Sequence, residues 1–302
     1  MPNWNEILDE IKKTASVHDA TRRKYLVKLH KLTGRNIILY YSGWLQSPDA
    51  PPALVAIGDN DLTGFMSACH KIDKTKGLDL ILHTPGGDLA ATESIVNYLK
   101  SLFTDIRVIV PQLAMSAGTI MACAARSIVM GKQSSLGPID PQMGGRSAHG
   151  ILEEFEQAHR EIAADPSKIA VWQPIIVKYP PTLIGECQKG MKWSKTIVSE
   201  LLVNGMLAND NDRDAKARRI VDELGDHALT LSHARHLSAE RCRILGLVIE
   251  NLEDDDKLQD AVLSIHHCCV HTLSQTHAVK IIENHNGIAF VNVVQQVVMK
   301  PS

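Results

Sequence analysis

The sequence predicts an α/β fold built on a largely parallel sheet, and three observations predict it. Short apolar runs at residues 78–83 (LDLILH), 106–110 (IRVIV) and 127–130 (SIVM) alternate with segments of helical periodicity, the pattern of successive βαβ units. Each run ends in a loop rich in glycine, proline or small residues, so these loops gather at one edge of the sheet. A chain of 302 residues that is 44% hydrophobic also carries enough apolar surface to bury a substantial core.

The elements follow in order. Residues 1–12 carry Glu6, Asp9 and Glu10 and read as an amphipathic helix, not as the basic start and apolar run of a secretory leader. The helical spacing of Ile7, Ile11, Tyr25, Leu26 and Leu29 extends this preamble to about residue 33. Residues 36–41 (NIILYY) form a first strand, Pro48, Pro51 and Pro52 mark a connecting loop, and residues 59–74 form a helix capped near Asn60 or Asp61. A helix over 89–102 follows the first of the three apolar runs. Residues 150–164 form another helix, and 181–202 contain one with Leu183, Ile184, Met191, Trp193 and Ile197 as buried candidates. Residues 209–219 are so charged that they read as a surface loop or frayed helix. Residues 238–252 read as a capped helix, Gly246 and a strand, and 254–277 as a further helix. The β-branched tail 291–299 (VNVVQQVVM) suits pairing with a sheet or another subunit. The resulting organisation is a helical segment 1–35, a main domain 36–252 and a C-terminal helix and tail 253–302.

Composition excludes several functions. A net charge of −2 and a pI near 6.7 give no reason to expect nucleic acid or an anionic membrane as partner. The stretch between Arg107 and Arg126 lacks charge, but Pro111, Gln112, Ser116, Gly118 and Thr119 interrupt it as a membrane span. Six cysteines without a CxxC spacing point to reduced thiols and a cytoplasmic setting. His266, His267, Cys268, Cys269 and His271 are dense in potential ligands, yet they suit an amphipathic helix and no HExxH is present, so a metal site is not expected. His233 and His236 read as polar loop residues.

Three loops can carry chemistry. His83-Thr84-Pro85-Gly86-Gly87-Asp88 leaves a strand and enters a helix; it is either a tight turn capped by Asp88 or a backbone-amide site for an oxygen that gains charge. The segment 111–118 (PQLAMSAG) places Ser116 at a helix start, as an N-cap or as an exposed nucleophile beside the Ala117 amide, with alanine where a G-x-S-x-G elbow has its first glycine. Residues 133–142 (QSSLGPIDPQ) descend along the same edge and bring Asp140 within reach of the serine.

In this order and spacing, LHTPGGD, AMSAGT and SSLGPIDPQ resemble the ClpP-like superfamily that includes signal peptide peptidase A, and more narrowly its serine dehydrogenase proteinase branch. The stretch HLSAERCRILGLVIENLE is similar to the late helix-strand element of the signal-peptide-peptidase relatives, so the resemblance covers residues 36–252. It implies a ClpP/crotonase-like core of repeated ββα units and a cofactor-free serine peptidase acting on peptides or proteins, assembled as a homo-oligomer. It also implies that Ser116 is the nucleophile and that the amides of Gly86, Gly87 and Ala117 form the oxyanion hole. The superfamily supplies its base either as a histidine backed by an aspartate or as a lysine. ClpP's histidine place falls near Asp140, where no histidine stands. The order Ser, Asp, His is met by Ser116, Asp140 and His149, and His149 lies near the place of the lysine in signal-peptide-peptidase relatives. A lysine base, Lys178 or Lys168, would need desolvation to lose its proton. Two other readings stay open: a crotonase-type acyl-CoA enzyme that holds a thioester enolate on the same amides, and a non-catalytic interaction protein that keeps the fold.

Overall fold

Apolar residues on both sides of the central strands leave no face for solvent, so these strands collect into one sheet covered by helices on each side. The computed structural model describes residues 19–225 and 233–294. Its elements begin with α1 (Asp19–Thr33), β1 (Asn36–Ser42), α2 (Pro52–Val55), α3 (Asn60–Ala68), β2 (Leu78–His83), α4 (Leu89–Leu102), β3 (Ile106–Val110), β4 (Leu113–Ala114), α5 (Ala117–Cys123), β5 (Ser127–Met130) and β6 (Ser135–Leu136). There follow β7 (Gln142–Met143), β8 (Arg146–Ser147), α6 (Ala148–Ala164), α7 (Ile169–Ile176), α8 (Leu183–Val203) and α9 (Arg213–Gly225). The last are β9 (Leu237–Ser238), α10 (Ala239–Leu245), β10 (Ile249–Asn251), α11 (Asp256–Gln275), β11 (Ala278–Asn284) and β12 (Ala289–Val293).

The main sheet runs β10-β5-β3-β2-β1-β11-β12, parallel from β10 to β1 and antiparallel at β11 and β12. Side chains alternate across it. Ile38, Leu80, Val108 and Ile128 stand in register and pack under α3, α4 and α5, while Ile37, Leu39, Ile81, Ile109 and Val129 face α1 and α11. After each of β1, β2, β3 and β5 the chain makes a second, short pairing before or beside its helix. These pairings are the bridge of Ile57 to Gly87, the bridge of Thr84 to Ala114, and the small sheet β4-β6-β9. A long strand, a short cross-piece and a helix therefore repeat along the chain, and the cross-pieces line up above the carboxyl ends of the parallel strands.

The strands and the helix at 78–83, 89–102, 106–110 and 127–130 coincide with the sequence reading. Differences arise where tertiary burial overrides composition. Of the charged segment 209–219, expected as loop or frayed helix, residues 213–219 instead open α9, because Ala217, Ile220, Val221 and Leu224 form a buried stripe beneath the charges. The helix expected over 59–74 stops at Ala68. The reading assigned no strand to 278–284, yet β11 is fully buried and pairs with both β1 and β12. The expected helix at residues 1–12 and the tail beyond residue 294 lie outside the described residues. Among the described residues, no helix is long and apolar enough to cross a membrane.

Candidate active site

The site is assembled from backbone first. Ser116 sits between β4 and α5 with φ 51° and ψ −116°, a conformation that costs a non-glycine residue on the order of 1–3 kcal/mol. Its side chain makes no capping bond to the helix. The capping reading of Ser116 therefore fails, and a strained turn that presents a hydroxyl at the top of a sheet is the geometry of a nucleophile elbow. The elbow is held on both sides: Thr84 N–H donates to Leu113 O at 3.0 Å, Met115 N–H donates to Thr84 O at 3.0 Å, and Gly137 N–H donates to the Thr119 hydroxyl at 3.0 Å.

The Gly86-Gly87 turn lies against this elbow. Gly86 has φ 97°, and a Cβ there would stand 2.7 Å from both the Met115 carbonyl oxygen and Ser116 Cβ, so only glycine permits the approach. A Cβ on Gly87 would meet Ile57 N and O at 2.3 Å. Asp88 caps α4, accepting from Ala91 N–H at 2.8 Å, so the turn is a capped strand-to-helix junction. Of the three amides expected in the oxyanion hole, that of Gly86 is engaged by its own neighbour, donating to Thr84 Oγ1 at 3.1 Å. Among the described residues, the N–H groups of Gly87 and Ala117 have no acceptor.

Asp140 is 2% exposed and held by its flanks: Ile139 N–H donates to Leu224 O, Ser194 Oγ donates to Ile139 O, and Ala148 N–H donates to Pro141 O. Its carboxylate accepts from Gln142 Nε2 at 3.0 Å through one oxygen and lies 2.7 Å from His233 Nδ1 through the other. A carboxylate only accepts, so Nδ1 is the donor in this contact, and in a neutral imidazole that leaves Nε2 as the acceptor. Ser116, Ala117, Gly86, Gly87, Asp140 and His233 all line one cleft of about 860 Å³. The cleft walls are mainly apolar, with Trp44, Val55, Ile139, Met143 and Trp193 among them.

The structure gives Asp140 a different histidine from the one the sequence suggested. His149 stands in the first turn of α6, its Nδ1 3.4 Å from Glu153, and it does not line the cleft. Lys168 and Lys178 are exposed on the helical layer and also lie outside the cleft lining. The His/Cys-rich stretch of α11 turns Cys268, Cys269 and His271 into the core, and no metal-holding group of three or more His, Cys, Asp or Glu occurs among the described residues.

A further histidine braces the site from behind. His83, buried at the end of β2, accepts from Leu113 N–H at 3.3 Å and packs at a tilt against Trp44, with 4.4 Å between ring centres. Burial, and then the neighbouring His266, push its pKa well below the ordinary histidine value, so it stays neutral and remains an acceptor.

The chain shares 34% identity over 169 residues with the uncharacterized protein MJ1495 of Methanocaldococcus jannaschii, covering 54% of this chain and 51% of that protein. It shares 40% over 118 residues with the uncharacterized protein MJ0137 of the same organism, covering 39% and 41%. The chain thus spans about half the length, or somewhat less, of the curated relatives it matches. Residues 53–262, which include Gly86, Gly87, Ser116, Asp140 and His233, match the model of the ClpP-like SDH-type serine proteinases, and the chain belongs to that family.

Proposed function

We propose that the chain is a serine peptidase that cleaves peptide bonds through Ser116, with His233 as general base, Asp140 orienting the imidazole, and the Gly87 and Ala117 amides receiving the oxyanion. The observation that carries this reading is the Asp140–His233 pair at 2.7 Å, which opens on the same cleft as the strained serine. His233 Nε2 takes the hydroxyl proton as Ser116 Oγ bonds to the scissile carbonyl carbon. The carbonyl oxygen becomes an anion and is held by the two N–H groups without an acceptor of their own. Collapse breaks the C–N bond, the imidazolium gives its proton to the departing amine, and water, deprotonated in turn by His233, hydrolyses the acyl ester. The apolar cleft suits a peptide segment with bulky side chains. A crotonase-type enolate site would have no use for a strained serine that shares its cleft with a carboxylate-paired histidine.

The test is intact mass and labelling rate with a fluorophosphonate probe, followed by hydrolysis of a fluorogenic peptide library. The wild type takes up one adduct, Ser116→Ala none, His233→Ala labels at least about 100-fold more slowly, and His149→Ala behaves as wild type. A wild type that does not label would overturn the reading, and loss of labelling in His149→Ala with His233→Ala intact would return the base to His149.

A further inference from the structure

Lys280 and Asp61 form an ion pair that is 2% and 1% exposed, with Lys280 Nζ 2.9 Å from each carboxylate oxygen. Such a pair contributes little to stability over a well-packed apolar substitute, because desolvation offsets the Coulomb attraction. Its surroundings give it another use. Lys280 Nζ also donates to the Ala56 carbonyl at 2.6 Å, and Asp61 also accepts from the Tyr40 hydroxyl at 2.8 Å and from Gly58 N–H at 3.1 Å. The pair thus fixes the chain on both sides of Ile57.

Ile57 in turn holds the glycine turn. Its N–H donates to Gly86 O at 2.8 Å and its carbonyl accepts from Asp88 N–H at 2.9 Å. In a trans peptide the C=O and N–H of one unit point in opposite directions. The Ala56–Ile57 unit therefore offers its oxygen to Lys280 and its N–H to Gly86. The Gly86–Gly87 unit offers its oxygen to Ile57 and aims its N–H the other way, toward the cleft. Two peptide units stand in series between a buried cation and the amide assigned to the oxyanion, each polarised by the one before it.

We propose that Lys280 is a positioning residue for peptide hydrolysis, acting through the Ala56–Ile57 and Gly86–Gly87 peptide units to aim and polarise the Gly87 N–H. This rests on the peptidase reading above. Asp61 keeps the ammonium desolvated yet charged: burial lowers the Lys280 pKa from its ordinary value, and the carboxylate opposes that shift. The relay predicts that oxyanion stabilisation weakens when Lys280 is lost, while the cleft itself stays intact.

The experiment measures the fluorophosphonate inactivation rate constant, kinact, and the half-saturating probe concentration, KI, on the full chain. Lys280→Met and the double variant Lys280→Met/Asp61→Asn are compared with wild type. The double variant leaves no unpaired buried charge, so it remains measurable if the single variant fails to fold. Both are expected to lower kinact about 10- to 100-fold with KI within about twofold, since a misaimed oxyanion donor costs less than a deleted one. Glu283→Gln, which breaks a buried ion pair of the same strand on the opposite sheet face, is expected to lower stability and leave kinact unchanged. Unchanged kinact in the double variant, with wild type labelled at Ser116, overturns the relay alone. An equal loss in Glu283→Gln overturns it as a nonspecific stability effect. A wild type that does not label removes both the relay and the peptidase reading.

Discussion

At the amino ends of the parallel strands the chain gathers charge. Arg35 reaches Asp79 at 2.6 Å and also pairs with Asp105, Arg107 reaches Asp79 at 2.8 Å and Glu250 at 3.1 Å, and Arg126 reaches Asp105 at 2.9 Å. At the carboxyl ends of the same strands there is strained backbone, small residues, neutral histidine and a 2.7 Å carboxylate–histidine pair. One end satisfies nearly every polar group it buries. The other leaves amides without acceptors and a serine in a conformation it does not prefer. Such strain persists only where the surrounding structure over-determines it, and the charged end, which ties together the starts of β1, β2, β3 and β5, contributes to that constraint.

The comparison is tested most strongly at Ser116. Replacement by alanine should remove labelling and hydrolysis, a loss of about 10⁴-fold or more. Replacement by glycine should do the same and also raise stability by about 1 kcal/mol, because glycine adopts φ 51° without penalty. Chemical denaturation of the two variants decides the point: a Ser116→Gly protein less stable than Ser116→Ala would mean that the elbow stores no strain.

Asp79 is the counterpart at the charged end. It is fully buried and shared by Arg35 and Arg107, so Asp79→Asn removes the negative charge that pairs two guanidinium groups. Unfolding free energy should fall by about 3–5 kcal/mol, with the labelling rate of the folded protein within about twofold of wild type. A large drop in labelling rate at temperatures where the variant is folded would show that the two ends are not separable.

The two ends were unequally legible in the sequence. Three strands and one helix could be read to the residue because apolar runs bounded by small residues leave little choice of period or boundary. Ser116 and the glycine turn could be singled out because a strand-loop-helix junction is a local pattern. The Asp140–His233 pair is not local: 93 residues separate its members, and His233 sits in a polar stretch without periodicity. His149, nearer in sequence to Asp140, satisfied the expected chain order equally well, and only the folded chain, which sets His233 against Asp140 and His149 against Glu153, separates the two. β11 carried a signal that could have been used. A lysine and a glutamate inside the otherwise apolar run AVKIIEN are costly in a buried strand unless each has a partner, and each finds one on an opposite face of the sheet.

Acid offers the finest separation, because the two ends should fail in different pH windows. At the carboxyl ends, burial and the neighbouring His267 push His266 down to about 4, and His83 is lowered in the same direction. The unfolded chain binds those protons first. Stability from the neutral rings is therefore complete above about pH 6.5 and is lost as pH falls, by about 2 kcal/mol at pH 5 for His266 alone. At the amino ends, the Arg35 hydrogen bond holds Asp105 below its ordinary pKa of 3.8. Burial opposes but does not outweigh the bonds from Ser127 and Arg107 that lower Glu250 from 4.5. Their contribution is present above about pH 4 and is lost only below it. Denaturation midpoints followed from pH 8 to 3 should show two limbs, the upper one flattened by His266→Gln and the lower one by Asp105→Asn. A single limb insensitive to His266→Gln would mean that the carboxyl ends are no more acid-sensitive than the charged network beneath them.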